Sequence, residues 1–144
     1  MEYLSTNKIA IVDLATSKVT DQEVDEDLVK ERIGGAGITT ALYEQYQDED
    51  PIVLGTGLLT GTLAPASALG MITAKSPLTG KVCHAPLTLY AGLELRYSGF
   101  DYVVIKESPR NLFIYGFTMA WRILTMPKTF GEKMFGPPRI RYES

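Results

Sequence analysis

From Pro51 to Ala74 the chain carries no charged residue. An apolar run of that length could cross a bilayer as a helix, so it decides first what kind of protein this is. It does not read as a span. Pro65 and the glycines Gly55, Gly57, Gly61 and Gly70 interrupt it, Ser and Thr dilute it, and its hydrophobicity per residue is too low for insertion. It reads instead as two short strands, "PIVLGTG" and "LGMITAK", around a loop rich in Gly and Thr. Inside that loop stands "LLTGT" (Leu58–Thr62). Just past the second strand, "SPLTGK" (Ser76–Lys81) repeats its Leu-Thr-Gly. Loops of this composition can cradle a phosphate with backbone amides. They can equally be plain turns, and the residues alone leave both readings open.

The remaining pattern builds outward from this centre. "KIAIVDL" (Lys8–Leu14) reads as a strand, "ATSK" as a turn and "KVTDQEV" as its partner, an N-terminal hairpin. "DEDLVKERIGG" predicts a short helix, capped by Asp25, acidic in its first turn, with Lys30 and Arg32 near its end and Gly34–Gly35 as the stop. "AGITTALYEQY" spaces Ile38, Leu42 and Tyr46 four apart and predicts a second helix. "APLTLYAGLELRYSG" places Leu89, Leu93 and Tyr97 on one helical face, with Gly99 as the stop. "FDYVVIKE", "NLFIYGF" and "MAWRILT" follow as strands, and "MPKTFGEKMFGPPRIRYES" is poorly patterned. About seven strands and three helices in irregular order argue against a doubly wound parallel sheet. They predict an α+β fold with largely antiparallel pairing.

Composition narrows the chemistry. At 144 residues one domain with a real core is expected. The net charge of -3 gives no electrostatic reason to expect nucleic acid. One cysteine, Cys83, and one histidine, His84, exclude an internal disulfide and cannot supply the ligands of a zinc site or an iron–sulfur cluster. Adjacent in a strand, they would point to opposite faces, a poor nucleophile–base pair, and the expectation is a small buried thiol beside a partly exposed imidazole. The five acids of "DQEVDEDL" suit a solvated hairpin edge and helix start. "GTGLLTGT" lacks the Lys of a P-loop, and "GGAGIT" follows a helix where a dinucleotide fingerprint follows a strand. The N-terminus shows no secretory signal pattern, so a cytoplasmic protein is expected.

Four phrases, in order, resemble a known family: "RIGGAGI", "GTGLLTGTLAP", "ITAKSPLTG" and "YAGLELRYSGFDYVVIK". They are similar to the N-terminal domain of the aldehyde ferredoxin oxidoreductases, tungsten or molybdenum bis-pyranopterin enzymes of the anaerobe type. The opening hairpin and acidic helix fit, and "FGEK" (Phe130–Lys133) resembles a further family element. The resemblance implies an α+β domain of two largely antiparallel β-sheets with a few helices over residues 1–135, followed by a tail over 136–144. It implies vestigial cradle loops at Thr60, Gly61, Lys75, Ser76, Thr79 and Gly80 as the cofactor-binding positions, with no catalytic and no metal-ligating residue. In the family the pterin dithiolenes hold the metal, and further domains carry the [4Fe–4S] cysteines and most of the substrate pocket.

The chain departs from the family pattern at its cofactor-facing loops. Ala36 stands where the family has Arg, and Leu69 stands where it has a second Arg. "PLTL" (Pro86–Leu89) replaces an Asn-Ser-Gly-Gly element, and the sequence stops before a Gly- and Arg-rich segment. Guanidinium is the natural bidentate partner of a phosphate, so each lost arginine removes about 1.5–3 kcal/mol of charge-assisted bonding. The expectation is a truncated, cofactor-free relative, not catalytic by itself, serving as a scaffold or interaction protein. It would form a homo-oligomer or join a separate larger oxidoreductase subunit, with no nucleic acid and no membrane. The alternatives are the small subunit of a split tungsten or molybdenum pterin oxidoreductase using ferredoxin, and a small-ligand binder reusing the cradle.

Overall fold

The computed structural model describes residues 5–16, 18–88 and 90–106. The N-terminal hairpin forms as its alternation demands: β1 (Lys8–Asp13) and β2 (Lys18–Glu23) pair antiparallel, with Ile9 opposite Gln22 and Val12 opposite Val19. The acidic segment becomes α1 (Glu26–Arg32), and the Asp25 side chain caps it by accepting the Asp27 N–H at 3.0 Å. The four-residue spacing becomes α2 (Ala36–Gln45), which buries Ile38 and Leu42. The uncharged run gives β3 (Ile52–Thr56) and β4 (Gly70–Lys75), antiparallel neighbours. β5 (Val82–Leu87), α3 (Ala91–Tyr97) and β6 (Tyr102–Lys106) complete the described chain.

These strands make one six-stranded sheet in the order β2-β1-β6-β3-β4-β5. Four of its pairings are antiparallel, and only β1–β6 is parallel. The fold is therefore α+β with a largely antiparallel sheet. A second sheet is not seen among the described residues; the expected strands "NLFIYGF" and "MAWRILT", the "FGEK" element and the tail lie outside them.

β6 enters between β1 and β3, so its Val103 and Val104 are buried on both faces. On one face Ile9, Val53, Tyr102 and Val104 pack with Val24 and with Ile38, Leu42 and Tyr43 of α2. On the other, Ala10, Val12, Leu54, Val103 and Ile105 pack with Leu95 of α3. The two edge strands, β2 and β5, are mostly exposed.

Two sequence expectations fail around β5. The segment read as the start of a helix contributes Ala85–Leu87 to that strand, and α3 begins only at Ala91. Pro86 suits an edge strand, where a missing N–H is tolerated, and pairing with β4 supplies what the local pattern does not show. The inward face of α3 is also different. Gly92 and Leu95 are buried, whereas Tyr97 is exposed and Leu89 lies outside the described residues. A Cβ on Gly92 would stand 2.9 Å from the Gly70 nitrogen, so the absence of a side chain lets α3 lie directly on the start of β4.

Candidate functional site

Three connections meet at one end of the sheet: the α1–α2 corner, the β3–β4 loop (residues 57–69), and the link from β5 to α3. The corner is tightly turned. Ile33 sits at φ 66, ψ -54, and the Gly34 N–H donates to the Arg32 carbonyl at 2.7 Å, a strained three-residue turn for a β-branched side chain. Gly35 then caps α2 and donates its N–H to the Thr56 carbonyl at 3.0 Å, tying the corner to the end of β3. A Cβ on Gly34 would sit 3.3 Å from the Leu58 nitrogen and 3.6 Å from the Tyr102 hydroxyl. Burial first, and then the Asp101 charge, hold that phenol protonated far above its ordinary range, with Arg96 opposing.

The β3–β4 loop closes on itself through Thr60, which is 3% exposed. Its hydroxyl accepts the Gly57 N–H at 2.9 Å and donates to the Leu69 carbonyl at 2.8 Å, which staples the two ends of the loop together. Gly61 follows at φ 80 and donates its N–H to the Ser67 carbonyl at 3.0 Å. Beneath the loop lies Arg96 of α3. Its Nη1 donates to the carbonyls of Leu58 at 3.1 Å and Thr60 at 2.7 Å. Its Nε and Nη2 both donate to Asp101 Oδ1, at 3.0 and 2.9 Å.

Asp101 is fully buried and joins a third segment to this centre. Its Oδ2 accepts from the Ser5 hydroxyl at 2.7 Å, the Thr6 hydroxyl at 2.9 Å and the Asn7 N–H at 2.7 Å. Burial alone would push the carboxyl up. The hydrogen bonds from Ser5 and Thr6 and the Arg96 charge outweigh it, so the group is held below the ordinary carboxylate value. Arg96 and Asp101 were not singled out from sequence. The signal was an Arg five residues before an Asp that opens an apolar strand, which has no meaning until the helix folds back over the loop.

The second Leu-Thr-Gly lies elsewhere. Ser76–Lys81 forms the tip of the β4–β5 hairpin, where Ser76 N–H donates to the Lys81 carbonyl and Gly80 N–H to the Ser76 carbonyl, both at 2.8 Å. Gly80 has φ 67 and no neighbour within 4 Å of a would-be Cβ. Thr79 and Lys75 are exposed. This tip is at the far end of β4 from Gly70, about 17 Å away at the ordinary rise per residue. Thr60 and Gly61 therefore stand together at one end, and Lys75, Ser76, Thr79 and Gly80 stand together at the other. Ala36, Leu69 and the Pro86–Thr88 stretch group around the Thr60 end: Leu87 pairs with Gly70, and Ala36 follows Gly35.

Cys83 and His84 do alternate across β5, but the expected burial of the thiol fails, because Val82–Pro86 of this edge strand are exposed. The His84 Nδ1 reaches the Thr73 hydroxyl at 2.9 Å. No group of three or more His, Cys, Asp or Glu that could hold a metal occurs among the described residues. The donors at the Thr60 end do not fit a pterin phosphate. The Thr60 hydroxyl and the N–H groups of Gly57, Thr60, Gly61 and Thr62 bond within the loop. Arg96, whose guanidinium reaches the loop, is engaged with Asp101 and two carbonyls. Positions 36 and 69 offer only hydrocarbon.

The family described as aldehyde ferredoxin oxidoreductase, N-terminal domain, matches residues 9–115. A tungsten-containing aldehyde ferredoxin oxidoreductase of Pyrococcus furiosus is 32% identical over 122 residues, covering 78% of this chain and 20% of that protein. A protein of the same organism named aliphatic sulfonate oxidoreductase, WOR-like subunit, is 33% identical over 137 residues, covering 85% of this chain and 22% of its own length. The chain thus spans about a fifth of the curated relatives it matches. Among solved structures, the BamBC active-site complex of benzoyl coenzyme A reductase aligns with a TM-score of 0.68 at 21% identity, covering 72% of this chain and 17% of that one.

Proposed function

Because the chain belongs to the aldehyde ferredoxin oxidoreductase family, through that family's N-terminal domain, we propose that it is a cofactor-free scaffold and interaction protein, not catalytic by itself, that docks on a larger oxidoreductase subunit or on a second copy. One observation carries this reading. At the end of the sheet where Ala36 and Leu69 stand, the loop's hydroxyls and the N–H groups of Gly57, Thr60, Gly61 and Thr62 bond within the loop, while Ile33, Leu59, Leu63, Leu69 and Tyr90 are exposed. A surface of large apolar side chains favours a protein partner over a phosphate. Thr60 and Gly61, with Lys75, Ser76, Thr79 and Gly80, are vestiges of a cradle that now shape turns. Residues 1–135 form the domain and 136–144 its tail. The protein is cytoplasmic in this reading, and no helix among the described residues is long and apolar enough to cross a membrane.

The test is metal analysis and pterin fluorescence on protein purified anaerobically from its native host with its co-purifying partners. The chain separated from any partner is expected to carry no stoichiometric tungsten or molybdenum. Stoichiometric metal and pterin on the isolated chain would overturn the proposal. A second reading, the small subunit of a split pterin oxidoreductase, has one observation in its favour: the similarity to a relative named as a subunit runs over 85% of the chain. It expects a stable complex with a tungsten- or molybdenum-bearing partner, whose activity falls when this chain is removed.

A further inference from the structure

Three side chains form a continuous line from solvent into the core. The exposed His84 of β5 places Nδ1 2.9 Å from the Thr73 hydroxyl of β4. Thr73 lies 2.7 Å from the Thr39 hydroxyl of α2, and both threonines are fully buried. The Thr39 hydroxyl is in turn 3.3 Å from the Ala36 carbonyl, in the first turn of α2. Each hydroxyl has one proton to donate, so the line can run in only one direction at a time. Running outward, Thr39 donates to Thr73 and Thr73 to His84. Running inward, His84 donates to Thr73, Thr73 to Thr39, and Thr39 to the Ala36 carbonyl.

The charge on the imidazole selects between them. A neutral ring can accept at Nδ1, and the outward direction gives that lone pair a hydroxyl at 2.9 Å. The inward direction would gain only the 3.3 Å contact, to a carbonyl that already takes the Thr40 hydroxyl at 2.6 Å. Once protonated, the ring carries N–H on both nitrogens and can only donate. We propose that protonation of His84 reverses this hydrogen-bond line and turns the Thr39 O–H to donate to the Ala36 carbonyl. The edge of the sheet then reports solvent pH to the first turn of α2. The proton comes from water and binds Nδ1; the two hydroxyls rotate, and no O–H bond breaks.

The setting suits such a response, because imidazole is the side chain whose charge ordinarily changes near neutral pH. On the same face of the hairpin stands Lys75, whose register partner is Val82. α2 contributes Tyr43, kept protonated by burial first and then by Asp50 and Cys83. β5 itself adds Cys83 on the opposite face. None of the ion pairs among the described residues involves His84.

His84 is the one histidine of the chain, so its ring signals in nitrogen and carbon NMR are unambiguous. At high pH the proton is expected on Nε2. As the ring titrates, the amide signals of Gly37 (bonded to the Ala36 carbonyl carbon) and Thr39 should move with the same midpoint. In Thr73→Val the ring should still titrate while the α2 signals stop following. In His84→Gln, an exposed-edge change, the midpoint in α2 should vanish. A high-pH proton on Nδ1, α2 signals that ignore the titration, or α2 signals that still follow it in either variant would overturn the proposal. If Thr73→Val does not fold, His84→Gln decides alone.

Discussion

Leu59-Thr60-Gly61 and Leu78-Thr79-Gly80 are the same three residues, and both glycines adopt a left-handed φ, 80 and 67. Yet Thr60 is buried and staples its loop, whereas Thr79 is exposed and touches little beyond the Lys81 N–H at 3.4 Å. The local turn is alike. The difference is what packs underneath: Arg96 and Leu93 of α3 lie against Gly61, and nothing lies against Gly80. A repeated phrase therefore specifies a backbone shape, while its energetic weight comes from neighbours distant in sequence.

The sharpest way to break this comparison is to remove the support under the first loop. Arg96→Ala leaves the buried Asp101 charge without its cation and should cost about 3–5 kcal/mol, read as a lower urea midpoint. A loss below about 1 kcal/mol would mean that Thr60 is held by something else. Acid probes the same support. The folded Asp101 value is depressed, so its contribution is present above the ordinary aspartate value of about 3.9 and disappears as pH falls through the folded value. Unfolding midpoints should therefore drop below roughly pH 4, and Asp101→Asn should flatten that portion of the profile.

Smaller changes separate the two loops directly. Thr60→Val leaves the Gly57 N–H and the Leu69 carbonyl without their partner and should cost about 1–3 kcal/mol by chemical denaturation. Gly61→Ala and Gly80→Ala should each cost about 1–2 kcal/mol, because a left-handed φ penalises any Cβ whether the site is crowded or open. Clearly unequal losses would show that packing contributes at this position as well. Thr79→Val should stay within about 0.5 kcal/mol, as an exposed substitution with no partner of consequence.

Much of this was legible beforehand because it is local. The hairpin, Asp25 as cap, the two apolar strands of the uncharged run and β6 all follow from periodicity and turn residues. The family motifs were legible as well. What failed was non-local. β5 lacks an alternating pattern because it is exposed on both faces, so only its pairing with β4 defines it. α3 buries Gly92 and Leu95, because the glycine permits a close approach that a count of large apolar residues cannot see. The candidate site was half legible: Thr60 and Gly61 could be named, but not their separation from Ser76–Gly80 across the length of β4.

The sequence by itself determined the N-terminal hairpin, the Asp25 cap, the strands of the uncharged run and β6, the family, and which side chains stand at positions 36 and 69. Those depend on side-chain chemistry and on backbone preferences within a few residues. Only the tertiary structure decided that Arg96 and Asp101 anchor one loop, that Thr60 is buried in it while Leu59, Leu63 and Leu69 are exposed, and that His84 connects through two buried threonines to α2. Each of these needs segments far apart in the chain to meet, and the free energy of such a meeting depends on burial and geometry that no short stretch of residues contains.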